Sequence, residues 1–374
     1  MSAVVIDIQN ADDMRDVVHR GVQALAEGQL VAFPTETVYG LAASALDEQA
    51  VNKLAELKSR GQNSPLTLAI KSADDACDYA PNMSNLGCRL ARRCWPGPVT
   101  LVLDDSHPDT LLRQLPGSVQ QLVSPGETIG LRVPAHHLIL DVLQMLAGPI
   151  VLTSANRGGQ PDAVTAAEVS DSFGDEIAIV MDDGRSQFGQ PSSVVRVTGG
   201  KLELLREGVV TKNTLSRLAN FMVILVCTGN TCRSPMAEVL CRQRLAERLN
   251  CQPQELEDHG ATVLSAGIAA MRGSPASSEA VNVMAERKLD LSDHVSQPLT
   301  DRLARYADLL LTMTEAHRAG ILAHWPEVAN RAKVLCPDAI DVSDPIGGSR
   351  EVYMRCADQI DAALRERIGE LDLE

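Results

Sequence analysis

Cys227 and Arg233 end a C-x5-R loop, CTGNTCR (227–233), set between the apolar run MVILV (222–226) and MAEVLCRQRLAERL (236–249), which has helical spacing. A loop this short, opening into a helix, turns successive backbone amides toward one point, where the helix N-terminus adds partial positive charge. That is a seat for an anion. The same amides and the Arg233 guanidinium favour Cys227 as the thiolate, the form of cysteine that attacks. Arg233 can hold two phosphate oxygens at once through its planar fork, which lysine cannot do. Gly229 permits a tight turn, Asn230 can brace the loop through its amide, and the Ser234 hydroxyl can donate to the thiolate. Thr228, Thr231 and Cys232 complete the loop, and Pro235 suits a first helical turn. Attack on phosphorus also needs an acid for the leaving group. Asp344, in the Pro/Gly-containing DVSDPIGGS (341–349), is the candidate. It would act first as acid, then as base on the hydrolytic water.

The first half of the chain holds a second, more diffuse set. PTETVYG (34–40) packs hydroxyls and an acid behind a strand-like run, and KSR (58–60) ends a helix-like one. Arg132 lies in LRVP (131–134), TSAN (153–156) follows PIVL, the serines of PSSVV (191–195) precede a strand, and Arg206 lies in LLREG (204–208). These residues suit a phosphate-bearing ligand, although the sequence contains neither a Walker loop nor GxGxxG.

The elements that must position them follow from the apolar pattern. From residue 221 onward strand and helix alternate. MVILV, ATVLSAG (261–267), ADLLLTM (307–313) and AKVLC (332–336) read as strands. SSEAVNVMAERK (277–288) and REVYMRCADQIDAALRERI (350–368) read as helices. Fully apolar strands between helices predict a small doubly wound α/β domain with a four-stranded parallel sheet, its phosphate-binding loop at the carboxyl ends of the strands. The first 215 residues predict a mixed α/β domain with many strands and fewer helices. Helices are expected at 14–28 and 49–60, and strands at 29–34, 67–70, 99–103, 128–133, 149–154, 177–182, 193–197 and 201–206; TETVYGLAA (35–43) is expected to be a loop. The domains are therefore 1–215 and 221–374.

Bulk numbers limit the function classes. The 374 residues carry a net charge of −15, from 18 basic against 26 acidic residues (−8) before Phe221 and 16 against 23 (−7) from it on. Neither half has the basic excess of a nucleic-acid binder. No apolar run reaches the ~18–20 residues that span a bilayer, and the acidic start MSAVVIDIQNADDMRD lacks a secretory pattern, so no membrane role and a cytoplasmic location are expected. Nine cysteines without a CxxC pair argue against a disulfide framework, and the absence of ligand-spaced His and Cys argues against a resident metal.

VCTGNTCRSPMAE, SAG (265–267) and DPIGGS (344–349) resemble the low-molecular-weight protein-tyrosine phosphatase family from about Val223 to the C-terminus. The resemblance implies a cysteine-dependent phosphatase acting on a phosphorylated protein, with Cys227, Arg233 and Asp344 catalytic and no cofactor. Thr231 occupies a position that is usually aliphatic in tyrosine phosphatases, and Ile346-Gly347-Gly348 stand where those enzymes carry aromatic residues. This is similar to the protein-arginine phosphatase branch, which usually has Phe in place of Ile346. Phosphotyrosine is the alternative substrate.

FPTETVYGL, KSR, WPGPVTLVL, TIGLRVPAH, LTSAN and LREG together resemble the YrdC/Sua5 family of threonylcarbamoyl-AMP synthases, from about Gln29 to Gly208. The resemblance implies that L-threonine, bicarbonate and ATP with Mg²⁺ are joined for modification of tRNA adenosine. Thr37, Arg132 and Ser192 would hold threonine. Lys58, Arg60, Thr128, Ser154, Asn156 and Arg206 would hold ATP. Ala69 stands where many members have His, and the alternative reading is a non-catalytic module that binds nucleotide or RNA.

Overall fold

A computed structural model describes residues 3–58, 65–338 and 340–371, and the chain divides between Leu218 and Ala219 into two units. The first is built on a mixed ten-stranded sheet. Its strands are β1 (Val4–Asp7), β2 (Val31–Phe33), β3 (Gly40–Ser44), β4 (Thr67–Ala69), β5 (Val99–Asp104), β6 (Thr128–Arg132), β7 (Ile150–Ser154), β8 (Ile179–Asp182), β9 (Ser193–Thr198) and β10 (Lys201–Arg206). They lie in the order β1-β8-β2-β3-β7-β4-β6-β5-β9-β10. The helix Met14–Ala26 is N-capped by Asp13 and buries Val17, Val18, Ala24 and Leu25, in one core cluster with Phe33, Ile139 and Ile150.

Two expectations need correction. Val4–Asp7 forms an edge strand, parallel to β8, that the sequence reading omitted. Its Val4 and Val5 are each half exposed, so no buried apolar run announced it. Residues 40–44 form not a loop but an antiparallel strand between β2 and β7. Gly-Leu-Ala-Ala-Ser has weak strand propensity, and tertiary pairing overrides it.

The second unit is a four-stranded, wholly parallel sheet in the order β12-β11-β13-β14, made of β11 (Phe221–Cys227), β12 (Ala261–Gly267), β13 (Leu309–Thr312) and β14 (Ala332–Val334). The run VILVC of β11 is buried because β11 is central and covered on both faces. Leu225 packs in the cluster that contains Met236, Leu240 and Ile360, while Ile224 and Val226 pack with Leu310 and Ile321. Besides the helices Ser278–Glu286 and Arg350–Gly369 foreseen from the sequence, two lie at Asp301–Tyr306 and Glu315–His324. The α/β fold class of both domains agrees with the sequence reading. Among the described residues no helix is long and apolar enough to cross a membrane.

Candidate active sites

In the second unit β11 ends on Cys227 and the helix Arg233–Leu249 begins six residues later. Between them the chain makes a sharp turn at Asn230, whose φ of +55° lies in the left-handed region that a non-glycine residue adopts only when held there. The buried Asn230 amide supplies the hold. Its Nδ2 donates to Ser234 Oγ at 3.0 Å and Ser265 Oγ at 2.9 Å, and its Oδ1 accepts from Gln297 N at 2.9 Å. His294 Nε2 meets the Asn230 carbonyl at 2.8 Å, and Glu238 Oε2 accepts from Ser265 Oγ at 2.6 Å. The SAG motif is explained by the same loop. A Cβ on Gly267 would stand 2.5 Å from the Thr228 carbonyl oxygen and 3.0 Å from Asn230 N, so only glycine lets the two backbones pass.

The result is a sulfur aimed into a ring of donors. Asn230 N donates to Cys227 Sγ at 3.2 Å, and Ser234 Oγ lies 3.0 Å from it. Arg233 is buried, with Nη1 donating to the Val342 carbonyl at 3.3 Å and Nη2 to Asp344 Oδ2 at 2.5 Å. The structure therefore brings the loop, Arg233 and Asp344 together from segments more than a hundred residues apart. Asp344 is about half exposed, open to a leaving group from solvent. Cys232 lies against Tyr353, with Sγ 3.3 Å from Oη, and burial together with that thiol pushes the phenol up to about 12. Thr231 is partly buried, and its hydroxyl lies 3.7 Å from Cys232 Sγ. Sequence reading missed the brace from His294, Gln297 and Tyr353, because no local pattern marks residues that act across the fold.

In the first unit a cavity of about 270 Å³ lies over one face of the sheet. The period of two in a strand explains its lining. Thr128, Gly130 and Arg132 on β6, Thr100 and Val102 on β5, and Val194 and Arg196 on β9 face it, whereas the buried Ile129, Leu131, Leu101 and Val195 alternate with them. Thr35, Thr37, Ser154, Ser192 and Arg206 close the rim. Arg132 is buried, with Nη2 donating to Glu36 Oε1 at 2.7 Å and Thr37 Oγ1 at 3.0 Å. Glu36 Oε2 also accepts from Ala135 N at 3.0 Å. Ser192 Oγ lies 3.1 Å from Thr100 Oγ1, and Arg206 Nη2 donates to the Ser192 carbonyl at 2.8 Å and Ser192 Oγ at 3.2 Å. Burial lowers the Arg206 pKa from its usual value. The glycine of LREG is required, because a Cβ on Gly208 would fall 2.2 Å from the Pro191 carbonyl oxygen.

Thr37, Thr128, Arg132, Ser154, Ser192 and Arg206 thus line one cavity, as a common ligand site requires. Lys58 and Asn156 are not among its lining residues. Lys58 Nζ instead donates to the Ser154 carbonyl at 2.8 Å, to the Asn156 carbonyl and to Asn156 Oδ1 at 2.5 Å, pinning the TSAN turn. Arg60 lies outside the described residues. Ala69 is fully buried on β4, in register with Arg132 of the neighbouring β6. Sequence reading gave no role to Glu36 or Thr100, although the alternation along β5 marks Thr100 as a face residue.

Histidines also gather in a way that spacing did not suggest: His136, His137 and Asp183 offer ligand atoms within 4.8 Å of one another. His136 Nε2 is 3.0 Å from Asp183 Oδ2, and the two imidazoles stack with centroids 4.7 Å apart. Burial lowers the His136 pKa.

The Arg132–Glu36 pair makes a prediction about stability. Arg132→Ala leaves a buried carboxylate without its cation and is expected to cost about 3–5 kcal/mol of the first unit's stability. Denaturant unfolding of Arg132→Ala beside the double variant Arg132→Met/Glu36→Gln checks this. The double variant should lose less, and equal losses would mean that the cost is packing alone.

Comparison with known proteins matches a family to each unit. Residues 23–208 match the Sua5/YciO/YrdC family, described as "Telomere recombination", and residues 222–374 match the family "Low molecular weight phosphotyrosine protein phosphatase". A putative threonylcarbamoyl-AMP synthase of Mycobacterium tuberculosis is 32% identical over 53% of this chain and 86% of its own length. The threonylcarbamoyl-AMP synthase of Pyrococcus abyssi is 38% identical over 49% of this chain, which spans 52% of that relative's length. Among solved structures, the YwlE arginine phosphatase from Geobacillus stearothermophilus is 31% identical, with 40% of this chain and 93% of that one covered and a TM-score of 0.35. The chain therefore belongs to the Sua5/YrdC family of threonylcarbamoyl-AMP synthases and carries, behind that domain, a second enzyme domain of the low-molecular-weight phosphotyrosine protein phosphatase family.

Proposed function

We propose that this is a bifunctional cytoplasmic enzyme: a threonylcarbamoyl-AMP synthase joined to a phosphatase that prefers phosphoarginine in proteins. The first domain would join L-threonine, bicarbonate and Mg²⁺-ATP, releasing pyrophosphate and supplying the adenylate for modification of tRNA adenosine. Its cavity offers hydroxyls and the Thr37–Arg132 pair for a small amino acid, and arginines for phosphates. Among the described residues none that line it is Asp or Glu, so Mg²⁺ would enter on the triphosphate. Purified protein supplied with ATP is expected to release pyrophosphate only when threonine and bicarbonate are both present. Release that ignores threonine would leave the nucleotide-binding module as the better reading.

In the second domain Cys227 would attack phosphorus, and the bond to the leaving nitrogen would break as Asp344 gives it a proton. Phosphate oxygens compete with Asp344 for the Arg233 fork, which frees the carboxyl group for that step. The Asp344 carboxylate then takes a proton from the water that attacks the thiophosphate, and phosphate leaves.

The preference for phosphoarginine is supported by one observation: among the described residues, the one Phe, Tyr or Trp side chain recorded against the phosphate loop, Tyr353, is buried. The domain has four aromatic residues. Phe221 begins β11, at the end opposite Cys227. Tyr306 lies beside the Arg302 guanidinium, Trp325 donates to Asp301 beyond the end of the helix Glu315–His324, and Tyr353 is buried against Cys232. After Asp344-Pro345 come an exposed Ile346 and two glycines. Thr231→Ile keeps the β-branch, replaces one hydroxyl by an ethyl group and so adds apolar surface. It is expected to shift the ratio of kcat/KM values toward phosphotyrosine by about 5–150-fold, the worth of ~1–3 kcal/mol. If wild type already prefers phosphotyrosine, or the ratio stays put, the tyrosine reading replaces this one.

A further inference from the structure

His317 has no part in the chemistry above, yet it is buried beneath the phosphate loop with both ring nitrogens engaged. Nε2 lies 2.8 Å from Thr228 Oγ1, and Nδ1 lies 2.9 Å from Thr314 Oγ1. Thr314 caps the helix Glu315–His324, and its oxygen accepts the His317 backbone N–H at 3.1 Å. A hydroxyl that accepts there can give its own hydrogen to Nδ1. Nδ1 is then the acceptor of the ring and Nε2–H its donor, a tautomer assigned from the network. The ring is neutral in this arrangement. Burial and, next, the Arg233 charge lower its pKa, against the opposing pull of Asp344 and Asp341.

The consequence falls on Thr228, the residue that follows the nucleophile. Its hydroxyl oxygen takes the Nε2–H, so its own hydrogen must point elsewhere. Thr228 is exposed, whereas Cys227 before it and Asn230 after it are buried, so that hydrogen is available to a ligand or to solvent. The Thr228 backbone does not drift, because its carbonyl accepts from Ala269 N at 3.0 Å.

We propose that His317 is a positioning residue that, through the chain Thr314–His317–Thr228, aims the Thr228 hydroxyl as an additional donor to the phosphoryl group held over Cys227. This rests on the phosphatase reading of the site and adds a side-chain donor to its backbone amides. A hydrogen bond to a charged oxygen is worth about 1.5–3 kcal/mol, or roughly 10–150-fold in affinity.

The test is a double-mutant cycle on the full chain. It compares wild type, His317→Ala, Thr228→Val and the double variant, using an aryl phosphate as substrate and inorganic phosphate as competitive inhibitor, with the unfolding midpoint measured for each. His317→Ala and Thr228→Val should each weaken phosphate inhibition and raise KM about 10-fold, with a smaller change in kcat. On the Thr228→Val background, His317→Ala should add almost nothing. If the two losses multiply, or if phosphate inhibition is unchanged in His317→Ala while only the unfolding midpoint falls, His317 merely packs the domain and the proposal is overturned. Should His317→Ala fail to fold, phosphate inhibition in Thr228→Val decides alone, and a value equal to wild type overturns it. A wild type that leaves the aryl phosphate intact would instead overturn the phosphatase reading, and this proposal with it.

Discussion

Cys227→Ser is expected to end hydrolysis of phosphorylated substrates and to leave the second domain folded. The position is buried, and its sulfur already meets two donors, Asn230 N–H and the Ser234 hydroxyl. A serine oxygen can accept from the same groups, so the loop keeps its shape. What changes is the nucleophile. A cysteine sulfur attacks phosphorus readily, whereas a serine alcohol ionises too reluctantly to replace it. Loss of a hydrolase's nucleophile costs on the order of 10⁶ in kcat, so the variant should fall to background on an aryl phosphate. Its circular dichroism and unfolding midpoint should match wild type. Hydrolysis at the wild-type rate would remove Cys227 from the mechanism.

Asp344→Asn is the second large effect, and its signature depends on the leaving group. The amide cannot deliver a proton, so a substrate that leaves poorly should lose about 10²–10⁴ in kcat. An activated phenol departs without help and should lose far less. Binding should change little. Asn keeps an oxygen that can accept from Arg233 Nη2, the partner Asp344 now meets at 2.5 Å, so the guanidinium stays in place. The comparison is therefore kcat for a nitrophenyl phosphate against kcat for an alkyl phosphate or a phosphoarginine peptide. Equal losses on both would mean that Asp344 shapes the loop and transfers no proton.

The two domains differ in how much of each the sequence discloses. In the second, chemistry and elements coincide. VILVC is a buried strand, the loop follows it directly, and the helix follows the loop, so nine adjacent residues carry most of the site. The companions that hold Asn230 and Thr228 come from residues 294, 297 and 317, and spacing says nothing about them. In the first domain the site is spread over seven neighbouring strands. The motifs point to its rim, but the Glu36–Arg132 pair and the floor given by Thr100 emerge only once β5 and β6 lie side by side. Lys58, named from its type as a phosphate ligand, donates in this structure to the Ser154 and Asn156 carbonyls and to the Asn156 side chain, contacts that spacing does not disclose. The strand at residues 40–44 was hidden because small residues pair well only where a neighbour crowds them: a Cβ on Gly40 would meet Leu152 Cδ1 at 2.8 Å.

The central claim is that one chain carries both activities, and mass spectrometry of a single reaction tests it most directly. Full-length protein is incubated with threonine, bicarbonate, Mg²⁺-ATP and a phosphoarginine peptide, beside an identical reaction with Cys227→Ser. Wild type should yield threonylcarbamoyl-AMP and the dephosphorylated peptide. Cys227→Ser should yield the same adenylate and leave the peptide phosphorylated. Absence of the adenylate under saturating substrates, or a peptide that loses its phosphate equally in both reactions, would contradict the account.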